Sequence, residues 1–165
     1  MSTQYKGGQY ANTQASPIEQ IDEGLYNVPV MKIMDSFVLT LDLAANDTIL
    51  MGGPIPEGAI LDNAKLIAPT GLGGSAAFNF GYQAGATALA GAPAAQAVNL
   101  TAFFSALPMS SATYAAAFAS SYQGTYYTQV ALTSQVQPII TCTVATSGAT
   151  GDTIYVEISY TKSGG

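Results

Sequence analysis

The apolar and polar positions of the chain alternate in short runs. From Ser36 onward, Phe37, Leu39, Leu41 and Leu43 alternate with Val38, Thr40 and Asp42, the period of two that marks a half-buried strand. Asn46-Asp47 supplies a turn, Thr48 to Met51 opens a second run, and Gly52-Gly53-Pro54 closes it. Pro56-Glu57-Gly58 turns the chain again into Ala59–Ala68, which holds Ile60, Leu61, Leu66 and Ile67. Phe78, Phe80 and Tyr82 share one face of a fourth run, with Ala77, Asn79 and Gly81 opposite. Two later segments, 126–132 and 136–146, are rich in Val, Ile, Thr and Tyr, residues that suit a pleated surface. The last run, Asp152 to Thr161, turns Ile154, Val156, Ile158 and Tyr160 inward and Tyr155, Glu157 and Ser159 outward.

The middle of the chain changes period. Gly85 to Val98 is Ala-rich, but Gly85, Gly91 and Pro93 interrupt it, which predicts a loop. Asn99 then stands where a helix cap belongs. Leu100, Phe103, Phe104 and Leu107 follow at i, i+3, i+4 and i+7, and Pro108 ends the pattern, so a short helix is expected. Ser111 to Tyr122 spaces Tyr114 and Phe118 four apart, which suits either a second short helix or an edge strand. Together these signals predict an all-β fold, an antiparallel β-sandwich or jelly roll, with one or two short helices in its middle.

Residues 1–35 read as an extended N-terminal arm and 36–165 as the folded domain. The arm lacks a periodic apolar face, and Pro17 and Pro29 discourage regular structure. It is either a solvated tail or a segment that orders on a partner. In the second case Tyr5, Tyr10 and Tyr26 are the candidate partner contacts, because tyrosine offers a large amphipathic surface.

Composition narrows the chemistry. The 165 residues contain no His and no Trp, and all four basic residues are Lys. Histidine triads, imidazole metal sites and bidentate arginine clamps are thereby removed. A net charge of −6 opposes binding to nucleic-acid phosphates. The lone Cys142 forms no disulfide within the chain. It shares a strand face with Ile140 and Val144, where a thiol acts as a small hydrophobe. No uninterrupted apolar run is long enough for a membrane helix, and the polar start does not resemble a signal peptide. Positions 66–151 carry no charge at all. Either partners cover that surface, or hydroxyls and amides keep it wet.

The remaining motifs are weak. Ser159-Tyr160-Thr161-Lys162 matches a Ser-x-x-Lys string, but it lies in a terminal strand without the companion elements of penicillin-recognising enzymes. The Gly-rich 70–75 segment precedes a strand rather than a helix, so it reads as a connection and not a phosphate loop. The acids Asp42, Asp47, Glu57 and Asp62 lack calcium-loop spacing and are expected at solvent-facing turns. The sequons at Asn46 and Asn99 read as coincidence. No catalytic, cofactor-binding or metal-binding residue is expected, so the protein is read as no enzyme.

One resemblance draws these segments together. The run 41–52, then Ile55-Pro56-Glu57-Gly58-Ala59, resembles small structural proteins of tailed bacteriophages. So do the Leu72-Gly73-Gly74 loop, the strand at 77–82, Ala102-Phe103-Phe104 and the closing Gly151 to Val156. The chain is similar over 36–161 to capsid decoration, or cement, proteins. That resemblance implies a β-sandwich or jelly roll on the outer surface of the virion capsid, gathered as homotrimers against the major capsid protein. It implies no catalytic residue, and no nucleic-acid or membrane partner is expected. The alternatives are a head-fibre or tail-fibre subunit that binds a host receptor and, from another class, a carbohydrate-binding module or small glycosidase.

Overall fold

The computed structural model describes residues 4–6, 30–85, 97–118 and 132–162. These form β1 (Gln4–Lys6), β2 (Val30–Val38), β3 (Thr48–Leu50), β4 (Ala59–Ala68), β5 (Ala77–Ala84), β6 (Asn99–Pro108), β7 (Thr113–Phe118), β8 (Val136–Val144) and β9 (Thr153–Lys162). They pair into a five-stranded sheet in the order β1-β3-β8-β5-β6 and a four-stranded sheet in the order β2-β9-β4-β7. The pairings are antiparallel except that of β1 with β3, which is parallel. The two sheets face each other across one apolar core, so the expected all-β sandwich is the fold.

Alternation builds that core. Ile154, Val156, Ile158 and Tyr160 of β9 all point inward and are buried, as their period of two requires. In β4 the buried set runs Ala59, Leu61, then Ala64, Leu66 and Ala68; a register shift between Leu61 and Asn63 resets the phase. The five-stranded sheet answers with Ile49, Phe78, Phe80, Ile140 and Cys142. Cys142 sits 1% exposed, its Sγ 3.2 Å from the Val144 carbonyl oxygen, and burial pushes its thiol up to about 11. It is a core residue without a thiolate to offer. Loop residues Leu39, Leu43, Met51, Ile55, Leu72 and Met109 close the ends of the sandwich.

Two expectations need correction. The first run of alternation is displaced: the strand begins at Val30 and ends at Val38, and it pairs along its whole length with β9. Leu39 and Leu43 are buried from loop positions, whereas Leu41 is exposed. The second is the helix expected at 99–107, which is instead the strand β6. Its pairings with β5 run Phe78 to Leu107, Phe80 to Phe104 and Tyr82 to Asn99, with register shifts between them. Each shift inserts residues on β6 that β5 does not match. The inserted residues stretch a period of two into spacings of three and four, which imitate a helix. Phe103 and Phe104 bracket Phe80, with ring centroids at 5.1 and 6.4 Å, and this packing outweighs the helical pattern.

For 111–122, the described part resolves the open choice in favour of an edge strand, β7, paired with β4. The β-rich segment predicted at 126–132 lies outside the described residues except for buried Leu132, whose N–H donates to the Ala59 carbonyl oxygen. The Gly-rich 70–75 segment joins β4 to β5, as expected of a connection. Within it Gly73 has φ +71°, and the Ser147 carbonyl oxygen occupies the place a Cβ would take.

Candidate interaction surface

The outward face of the four-stranded sheet has an ionic centre. Glu157 projects from β9 between its register partners Met34 on β2 and Lys65 on β4. Its Oε1 accepts from Lys65 Nζ at 2.9 Å and from Lys32 Nζ at 3.3 Å. The Lys65 hydrogen bond lowers the Glu157 pKa, and the same bond raises that of Lys65, which also contacts Tyr114. Water screens this cluster, so it orients side chains more than it stabilises the fold.

Around that centre the face mixes polar positions, Lys32, Ser36 and Asn63 among them, with exposed apolar and aromatic ones. The next row, running from β2 to β7, reads Ser36, Tyr155, Ile67 and Tyr114. Tyr114 is 66% exposed, Met34 61%, Val30 55% and Val38 52%. Isolated exposed apolar residues are ordinary; here Val30, Met34 and Val38 follow one another along β2, with Tyr155 and Tyr114 on the same face, which makes this face the candidate contact surface. The other sheet differs in charge: β3, β5, β6 and β8 contain no charged residue.

The acids of 42–62 do not meet. Asp42 accepts from the Gly148 and Ala149 N–H groups at 2.9 and 2.8 Å and from Thr146 Oγ1 at 3.2 Å. Those backbone donors hold its pKa below the ordinary carboxylate value. Asp47 Oδ2 accepts from the Ala44 N–H at 3.0 Å, also before β3, whereas Glu57 lies beyond the far end of β3 and Asp62 within β4. Among the described residues no three His, Cys, Asp or Glu side chains are grouped to hold a metal ion. Asp42 and Asp47 are loop clasps. Ser159, of the Ser-x-x-Lys string, is a buried strand residue.

The expected partner contacts fare unequally. Tyr5 lies in β1, in register with Ile49 of β3. Tyr10 and Tyr26 lie outside the described residues. Alternation along the last strand had already turned Tyr155 outward. Val30 and Met34 fall within the stretch that reads in sequence as the arm; outward Val30, Lys32, Met34, Ser36 and Val38 alternate with inward Met31, Ile33, Asp35 and Phe37, a signal present in the sequence. Tyr114 waited on the choice between helix and strand.

No protein-family model and no curated protein sequence matches the chain. In three dimensions it is similar to a chain in the solved structure of the capsid of Ralstonia phage GP4, with a TM-score of 0.69 and 18% identity. The likeness covers 99% of this chain and 100% of that one. This protein therefore shares its fold with a chain of that phage capsid.

Proposed function

We propose that the protein is a non-enzymatic virion structural protein, a decoration (cement) protein on the outer surface of a bacteriophage capsid. The observation that carries this reading is the end-to-end fold likeness to a phage capsid chain. The strand orders support it: setting β1 aside, β2-β9-β4-β7 facing β3-β8-β5-β6 is the winding we read as a jelly roll, a fold frequent in capsids. Its partners in this reading are the major capsid protein and two further copies of itself.

The mechanism is mechanical. Internal DNA pressure opens the joints between capsomers, and a rigid sandwich bound on both sides of a joint resists that opening through added contact area. Broad faces with few charges suit the task, because burying them costs little desolvation. The uncharged strands of the five-stranded sheet and the exposed Val30, Met34, Val38, Tyr114 and Tyr155 of the other are the surfaces assigned to it. In this reading Tyr5, Tyr10 and Tyr26 are the arm's contacts with neighbours.

Labelling intact virions with a gold-conjugated antibody against the protein tests the reading. Gold over the heads is expected. Gold on fibres supports the receptor-binding alternative and overturns decoration, and unlabelled particles overturn both.

A further inference from the structure

The position of β1 carries one step beyond this. β3 has only three residues, and β1 adds a parallel strand to its outer side through the register Gln4–Thr48, Tyr5–Ile49 and Lys6–Leu50. The neighbouring edge of the other sheet is β2: the Gly52 N–H, just past β3, donates to Asp35 Oδ2 at 2.6 Å. Ile33 fills the space where a Gly52 Cβ would stand. A path from Lys6 to Val30 therefore crosses from β1 to Leu50, passes to Gly52, steps across to Ile33 and follows β2 back to its start. At the spacings of extended chain and paired strands that path is about 30 Å, which about nine residues cross. The sequence supplies residues 7–29, more than twice that number.

We infer that in the assembled oligomer the β1 strand of each copy occupies the β3 edge of the next copy, so that the arms are exchanged. This rests on the proposed self-association and adds the contact that ties the copies together. Three features support it. The chain between β1 and β2 is long enough to reach a neighbour, while a link within one copy leaves most of that length unused. The acceptor edge, Thr48-Ile49-Leu50, carries no charge that would repel an incoming strand, unlike the guarded edges of many monomeric sheets. A three-residue pairing is weak alone, but a head-to-tail ring repeats it once per copy and gains by multivalency. The mode is strand addition, in which the main chain supplies the hydrogen bonds.

Cysteine pairing tests the exchange on the full chain. Gln4→Cys and Thr48→Cys are made separately and together; buried Cys142, with its raised thiol pKa, does not compete. The two single variants are mixed, unfolded, refolded together, oxidised and run on a denaturing gel without reductant. Linked dimers in the mixture, absent from either variant alone, are expected, with linked oligomers from the double variant. A double variant that closes only within single chains, with no linked dimer in the mixture, overturns the exchange. Failure of both to link, while circular dichroism shows folded protein, overturns it equally. Light scattering on unoxidised protein separates the two readings: oligomers without exchanged links leave the coat reading standing and remove only the inference.

Discussion

The Asp35 carboxylate, 7% exposed, binds the Gly52 N–H through Oδ2 at 2.6 Å and the Ser36 N–H through Oδ1 at 2.7 Å. It joins β2, the border of one sheet, to the turn that follows β3 in the other. Gly52 has φ +61° and packs against Ile33, so a side chain there would both strain the backbone and displace the Ile33 Cγ2 methyl. Replacing Asp35 by Ala strands at least one buried N–H, at about 1–3 kcal/mol. The expected outcome is a melting temperature lower by about 4–10 °C for Asp35→Ala, and by less for Asp35→Asn, which keeps an acceptor. A thermal melt checks it; an unchanged midpoint for Asp35→Ala contradicts the clasp.

The start of β2 sets where the chain is safely shortened. Removing residues 1–29 takes away β1 and its three pairs with β3, and with them the inferred link between copies, but within one chain leaves every pairing between β2 and β9 in place. Removing 1–34 deletes Met31 and Ile33, which pack on the core, together with the pairs from Val30–Thr161 to Met34–Glu157. The shorter deletion is expected to melt within a few degrees of the full chain, about the effect of losing under 1 kcal/mol. The longer one is expected to melt at least about 8 °C lower or to remain unfolded. Equal melting of the two truncated chains contradicts the boundary at Val30.

Much of the sandwich was legible because alternation survives wherever a strand pairs without interruption. The inward set of β9 is read directly from the sequence; of Ala59–Ala68 the bounds are read, while its inward positions change phase at the shift between Leu61 and Asn63. Legibility failed where the pairing slips. The unmatched residues opposite β5 gave Leu100, Phe103, Phe104 and Leu107 a helical spacing, although Leu100 is 37% exposed and Phe103 only 7%. Ala106 marks the same irregularity, with φ +47° and its N–H donated to Asn79 Oδ1 at 2.7 Å. The candidate interaction face was legible only in part, since Tyr155 follows from alternation. Placing Tyr114, Ile67 and Ser36 in its row requires the strand order, which no local pattern encodes.

Acid should weaken the fold partly through Asp42. Its folded pKa is lowered by the Ala149 and Gly148 N–H groups, so its stabilisation is present above the unfolded carboxylate value near 4. That contribution is lost as pH falls through the lower folded value. Glu157, lowered by Lys65, acts in the same direction. Melting curves from pH 7 to pH 2 should show the loss beginning below about pH 4. Asp42→Asn should melt lower at pH 7 and lose less on acidification. An acid profile as steep as that of the unaltered chain contradicts the loop clasp.

Attachment to a capsid should survive salt and chelators. With no Arg, four Lys and uncharged strands in one sheet, binding is not expected to rest on ion pairs, so raising NaCl to about 1 M should release little protein. EDTA should likewise release none. Release at moderate salt would show that the acids meet a basic partner surface, and release by EDTA would show a metal bridge at the interface.

Reconstitution tests whether the protein decorates and stabilises heads. Purified protein is added to phage heads that lack it, the heads are pelleted, and bound protein is measured as a function of concentration. Heads with and without it are then heated, and DNA release is followed. Saturable binding at a fixed number of copies per head is expected, with DNA release at a higher temperature from decorated heads. Protein left in the supernatant at every concentration, or bound protein that leaves DNA release unchanged, contradicts it.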